Sequence, residues 1–431
     1  MDREAQILFI LKWFLQSSQF LQWSSKMHLQ KHEKKERRSD CYKSERTSFP
    51  LPDRRLDVTM PKTIKTALNI MFGIILLLAV STLEAAPTYN VKLQQTLLYK
   101  SGVTAVAFSL NGKYLAIGYY SGLVDVRAVR TNGIGHSLFY FNTGVQANTY
   151  VPIQAIAFSP DSHTLVVGGE DYLQKWDIIK RRSLWKHRQR NYSLPPKYGR
   201  IPVIVSSLAV SPNDDILAGV VVMQGHCGDA SEVRLWSNKT GRLKHRLLGY
   251  SSDSYGDHPN NVAFLDSQHL LIDDLGLITS CNVYSYKKEW EVKHLNLSNR
   301  LVLSPDKHLI ICACNEYYEV WDLRKRRLLR RPNIEATFGS ECVSISHNSD
   351  IVATAGINYT GYRSSEYKSS NPDSIKYQIG LWDIHTGRLI KRLPGSRLVA
   401  FSPKSNILLT GESDGIAGLT SKRMRLWKIT R

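Results

Sequence analysis

The densest gathering of chemically capable side chains in this sequence is the pentapeptide GHCGD, with Glu232 close behind. His226, Cys227 and Asp229 are all metal-ligand types, but ligands this close in sequence share a tetrahedral site only by straining the backbone. An ordinary polar loop accounts for them better, and no metal site is assigned. Cys312 and Cys314 alternate on one side of an apolar run, the pattern of a packed strand. The sequence contains no GxSxG, no HExxH, no phosphate-binding loop, no CxxC and no EF-hand pattern. No catalytic residue and no cofactor is therefore assigned, and recognition is the chemistry left to explain.

Residue types suited to recognition cluster in three segments. NYTGYRSSEYKSSNPDSIKY carries Tyr359, Tyr362, Arg363, Tyr367 and Tyr377; NYSLPPKYGRIP carries Tyr192, Lys197, Tyr198 and Arg200; YSSDSYGDHP carries Tyr255. Tyr and Arg among Ser, Gly and Asn give contact area at low entropic cost, although soluble loops of no special role share that composition. A second set is basic: IIKRRS, SYKKE and LRKRRLLRR hold Lys180, Arg181, Arg182, Lys287, Lys288, Arg324, Lys325, Arg326 and Arg327. Such a ring can face anionic headgroups or serve only solubility. Four Asn-X-Ser/Thr triplets begin at Asn191, Asn238, Asn296 and Asn358.

The elements that must carry these residues repeat. Seven times an apolar strand ends in a turn: VTAVAFSLNGK, IQAIAFSPDSH, VSSLAVSPNDD, NNVAFLDSQH, NRLVLSPDKH, ECVSISHNSD and SRLVAFSPKS. The landmarks Phe108, Phe158, Val210, Phe264, Leu303, Ile345 and Phe401 lie 50, 52, 54, 39, 42 and 56 residues apart, and the shortest spacings suit one four-stranded unit. A second apolar strand follows each landmark, then a third that tends to end in Trp: Trp176, Trp236, Trp321, Trp382 and Trp427. Alternating strands between Ser-Pro-Asp-like and Asn/Gly turns predict antiparallel β throughout.

QKWDIIKRR, EVWDLRKRR, GLWDIHTGR and RLWSNKTGR resemble the Trp-Asp endings of the WD-repeat family, and AFSPD resembles its innermost strand and turn. The likeness covers residues 88–431; Trp176–Asp177, Trp321–Asp322 and Trp382–Asp383 keep the signature dipeptide. It implies an all-β, seven-bladed β-propeller with blades at about 102–143, 152–190, 203–249, 260–296, 299–332, 340–394 and 396–431 plus 90–98. The family's Gly-His pair is missing and the first and fourth units lack the Trp. These departures mark a degenerate member and put the family's buried Asp-His-Ser-Trp network in doubt for most blades. Because the last unit stops at its third strand, residues 90–98 are expected to complete it and clasp the chain ends together.

Antiparallel order places the loops after strands two and four on one face and those after strands one and three on the other. From landmark to Trp the count is 18 in the second and fifth units but 26, 37 and 26 in the third, sixth and seventh, all of the excess following strand two. The Tyr-rich segments share that elaborated face, and the basic turns share the opposite one.

Upstream the text differs. Residues 1–59 read as a disordered extension or a mis-assigned start, and from Met60 two lysines, the run ALNIMFGIILLLAV and small polar residues reproduce an export-signal layout over 60–86. Cleavage gives an exported, bacterial-type protein; retention gives an anchor at residues 67–83. The five cysteines after residue 88 are an odd number, which keeps a cytoplasmic reading open. Net charge is +20, from 57 Lys and Arg against 37 Asp and Glu, yet the charges sit on turns without interleaved aromatics, which argues against nucleic acid. The expected function is a monomeric, non-enzymatic scaffold that binds a protein or peptide through the elaborated face, with membrane-surface contact through the basic rim. The alternative is a propeller enzyme or small-ligand binder, quinoprotein-like or sugar-handling, with acids in its central channel.

Overall fold

The computed structural model describes residues 88–143, 151–189, 202–225, 228–251, 259–274, 276–293, 298–314, 317–332, 342–358, 376–412 and 421–431. Residues Thr88–Arg431 form one compact unit. Among the described residues no helix is long and apolar enough to cross a membrane; residues 67–83 lie outside them.

The described residues form twenty-seven strands. The first unit contains β1 (Asn90–Phe108), β2 (Tyr114–Tyr119), β3 (Leu123–Arg130) and β4 (Gly133–Asn142). The second contains β5 (Ile153–Phe158), β6 (Thr164–Gly169), β7 (Tyr172–Asp177) and β8 (Arg182–Arg188). The third contains β9 (Val203–Val210), β10 (Ile216–Gly225), β11 (Gly228–Ser237) and β12 (Leu243–Ser251). The fourth contains β13 (Pro259–Phe264), β14 (His269–Asp274), β15 (Leu277–Asn282) and β16 (Lys288–Lys293). The fifth contains β17 (Ser298–Leu303), β18 (Leu309–Cys314), β19 (Tyr318–Asp322) and β20 (Arg327–Arg330). The sixth contains β21 (Cys342–Ile345), β22 (Ile351–Asn358), β23 (Lys376–Asp383) and β24 (Leu389–Pro394). The last has β25 (Val399–Phe401), β26 (Ile407–Glu412) and β27 (Ser421–Thr430).

Units two to six each form a four-stranded antiparallel sheet, whereas the first and last are fused into one seven-stranded sheet through β1. Asn90 to Leu98 pair with Thr430 to Arg423 of β27, and Val103 to Phe108 pair with β2. The sequence suggested two separate strands here. The chain instead stays extended, and Val103 pairs both ways, with Tyr119 and with Ser421, where the register shifts. First strands adjoin in the order β1, β5, β9, β13, β17, β21 and β25, and β25 returns to β1.

No single core exists. Seven apolar clusters among the described residues lie between consecutive units, as where Val166 and Leu173 meet Val203, Val205 and Leu217, or where Leu409 and Leu426 meet Val103 and Leu115. Both faces of a sheet must therefore be apolar, which is why second strands such as β6 and β14 read as continuous hydrophobic runs.

Five of the seven turns between first and second strands share one device. Ser109, Ser159, Ser211, Ser304 and Ser346 each accept the N–H five residues on at 2.9 Å and donate to an Asn or Asp two residues on. The Asp of the Trp-Asp pair works similarly at the next turn: Asp177, Asp322 and Asp383 accept backbone N–H groups of Lys180, Lys325 and Thr386 at 2.7–2.9 Å. Burial alone would raise Asp383, but donors from Thr386 and Tyr89 outweigh it and hold the carboxyl below its ordinary value.

A clasp repeats around the ring. In the fourth strand of every unit but the sixth, the residue opposite the position before the Trp site reaches the third turn of the next unit, where one residue has positive φ; in the sixth, Lys391 instead donates to Val91 O of β1. The Arg181 guanidinium (φ 52) lies 6.0 Å from the Phe139 ring, and that of Arg326 (φ 51) lies 4.9 Å from Trp290. His245 stacks on Tyr286 (φ 60) at 3.8 Å. Arg330 donates to Thr386 O at 2.7 Å beside Gly387 (φ 72), and Gln95 brackets the Ile134 backbone beside Gly133. At Gly241 (φ 69) an added Cβ would lie 2.4 Å from His187 and 2.6 Å from Trp185. Gly241→Ala is accordingly expected to cost about 1–3 kcal/mol, read as a lower urea midpoint. An unchanged midpoint would remove the clasp from the account of stability.

Candidate functional site

The connections after second strands leave from one end of the sheets, opposite the tight serine turns. In the third unit the extra residues are not a loose loop, as the sequence suggested, but an extended hairpin: Gln224 pairs with Asp229 and Gly225 with Gly228. The apolar run Val220–Met223 of β10 carries the ladder outward, opposite Val233 to Ala230 of β11. His226 and Cys227 lie outside the described residues, and among the described ones no group of three or more His, Cys, Asp or Glu is placed to hold a metal. The same end carries the extended β22–β23 ladder, to Asn358 opposite Lys376.

Of the recognition residues expected on this face, Tyr192, Lys197, Tyr198, Arg200, Tyr255, Tyr359, Tyr362, Arg363 and Tyr367 lie outside the described residues. Tyr377 does not belong with them. It is a strand residue, 8% exposed and paired with Ile357, because the ladder extends past the point where the insertion was expected to begin. Asn238 is likewise buried, donating to Asp214 Oδ1 at 2.7 Å, so its triplet is a turn and not an accessible acceptor.

The nine basic residues of the opposite rim are all exposed. They are not equivalent: Arg181 and Arg326 serve the clasp, and Lys288 pairs with Glu291. Lys180, Arg182, Lys287, Arg324, Lys325 and Arg327 complete the ring.

The Trp indoles differ from unit to unit in what they bond. Trp382 and Trp427 donate through Nε1 to Thr354 and Thr410, at 2.9 and 3.0 Å. The same place on the second strand is Cys312 in the fifth unit, Val167 in the second and Gly219 in the third. Trp321 turns instead to Glu319 at 2.8 Å, and Trp176 Nε1 is buried with no hydrogen-bond partner, its ring stacked on Phe141 at 4.0 Å. Trp236 is 1% exposed.

First strands enclose a cavity of about 150 Å³ lined by Thr104, Gln154, Ser206, Ser207, Asn261, Arg300 and Arg397, with aliphatic neighbours. Its wall is stitched by side chains. Thr104 donates to Ile153 O at 2.7 Å, Ser207 to Asn261 Oδ1 at 2.8 Å, and Asn261 to Leu301 O at 3.1 Å. A channel enzyme would need carboxylates here, whereas the described lining holds two arginines and neither a carboxylate nor a histidine. The signal was legible: Arg397 stands four residues before its landmark, where Thr104 and Gln154 stand in their units.

The crystal structure of the Myceliophteria thermophila Cps50 (Swd1) beta-propeller domain superposes with a TM-score of 0.58 at 14% identity, covering 79% of this chain and all of that one. The fold is a β-propeller. No family model matches the propeller's sequence. Among curated proteins, the Periodic tryptophan protein 2 homolog of Dictyostelium discoideum is 28% identical over 168 residues, 38% of this chain. The chain covers 15% of that relative's length. With the Trp-Asp strand ends, these likenesses support a WD-repeat propeller.

Proposed function

We propose that the chain is a seven-bladed, non-enzymatic scaffold that binds a protein or peptide partner through the face bearing its strand-two insertions. The reading rests on one asymmetry: β10–β11 and β22–β23 extend at that end, while the opposite end keeps short, hydrogen-bonded turns. Propellers offer loops on a rigid frame, and elaboration of one end of the frame is what a recognition surface requires. Its bounds would be residues 88–431, with 60–86 as a signal or anchor and 1–59 as an extension. Export, or a tether through residues 67–83, follows from the sequence layout alone, and the free basic residues of the rim would then face lipid.

A photo-crosslinking residue placed at Tyr359 or Tyr367 is expected to capture one defined partner, and the same residue at Lys325 to capture none. Replacing 359–375 by a two-residue Asn-Gly turn should abolish capture with a thermal midpoint within a few degrees of the parent, since Asn358 and Lys376 already pair. Crosslinks from Lys325 alone would move the working face to the other side.

A further inference from the structure

We propose that the central cavity is an anion site that takes one tetrahedral oxyanion of the phosphate class, held between Arg300 and Arg397. The two side chains come from β17 and from the residues just before β25, and both line the same cavity. They are the charged members of its described lining, and the rest is hydroxyl, amide, aliphatic or, at Cys342, thiol. Glu341, which precedes Cys342, lies outside the described residues.

The chemistry follows from the guanidinium. It stays charged at every physiological pH and carries five N–H donors in a planar fork, so a bond made by either arginine elsewhere leaves donors for a ligand. Arg397 is half-buried and Arg300 exposed, so two positive groups line one solvent-reached cavity and their pull on an anion should weaken as ionic strength rises. Thr104 and Ser207 already donate to the wall, so their remaining capacity is as acceptors, whereas Gln154 offers an amide that can donate inward.

Size narrows the class. The space is about 150 Å³. That admits a phosphate-sized ion or the phosphoryl end of a monoester but not a nucleotide, whose pockets begin at about 300 Å³. The rim arginines do not compete for this role. Arg181 and Arg326 are spent on aromatic rings, and the others stand on open turns where a monovalent contact is weak.

The test uses the full chain in chloride buffer, titrated with inorganic phosphate by calorimetry, with phosphorus line broadening as a second readout. Saturable binding of one phosphate per chain is expected. Arg397→Gln and Arg300→Gln should each weaken it at least about tenfold, the loss of one charge-assisted pair. Arg397→Lys, which keeps the charge but not the fork, should fall between. The rim pair Arg324→Gln/Lys325→Gln should bind like the parent. Each variant's circular dichroism and thermal midpoint separate lost binding from lost folding. Phosphoserine competing one for one would assign the source as a phosphoryl monoester, and phosphate binding without that competition would assign the free ion. Absent or unsaturable phosphate binding, or weakening by the rim pair as great as by the cavity variants, overturns the site. This outcome is independent of partner capture on the insertion face.

Discussion

Glu319→Ala is expected to lower the unfolding free energy by about 1–3 kcal/mol, the cost of leaving a buried donor without its acceptor beside a half-buried arginine. Glu319 is fully buried and gathers three donors: Trp321 Nε1 at 2.8 Å, and Arg331 Nε and Nη2 at 3.0 and 2.7 Å. Truncation leaves the Arg331 guanidinium over Tyr317 without its counter-charge and the indole N–H without an acceptor. Equilibrium urea denaturation measures the loss. The double variant Glu319→Leu/Arg331→Leu should recover part of it, because a matched apolar pair avoids the stranded charge. A single variant as stable as the parent would mean that solvent already reaches this carboxylate.

The larger effect is expected at the seam between the first and last units. A chain starting at Tyr99 loses the pairing of Asn90 to Leu98 with β27, the Val91 contact with Trp427 and Ile429, and the Gln95 clasp. It also loses the Lys391 Nζ bond to Val91 O at 3.2 Å and the Tyr89 bond to Asp383 at 3.1 Å. With each net hydrogen bond worth about 1 kcal/mol and Val91 about 1.5–3 kcal/mol, the sum is comparable to the whole stability of a domain, about 5–15 kcal/mol. The shortened protein should aggregate or elute expanded from a sizing column. Val91→Asp, which puts a carboxylate into the same apolar cluster, should lower the thermal midpoint in the intact chain. A monomeric shortened protein with the parent's midpoint would show that the ring closes without this strand.

Much of the frame could be read from residue types. The Ser-x-Asp/Asn turns, the Trp-ended third strands and the unpartnered last unit each follow from local chemistry, and each has its counterpart in the turns, β7, β19, β23 and the β1–β27 ladder. What stayed hidden depends on neighbours in the ring. Nothing near Tyr377 in sequence says that β23 begins at Lys376, because the arm of an extended ladder and a loop share one composition. The clasp was invisible for the same reason: Phe139, Trp185, His245 and Trp290 look like ordinary outer-strand aromatics until the next unit's turn is set against them. Replacement of the hydroxyl beneath Trp321 by Cys312 could be seen in the alignment of units, but the answering role of Glu319 could not.

Sharing β1 between two sheets also sets a schedule. Asn90 pairs with Thr430, at opposite ends of the described chain, so during synthesis at about 5–20 residues per second β1 waits roughly 17–70 s for its partner. Its second half can pair with β2 at once, while its first half remains an open edge through the making of every other unit. The nascent protein is thus exposed to strand addition by neighbouring chains until its last strand leaves the ribosome.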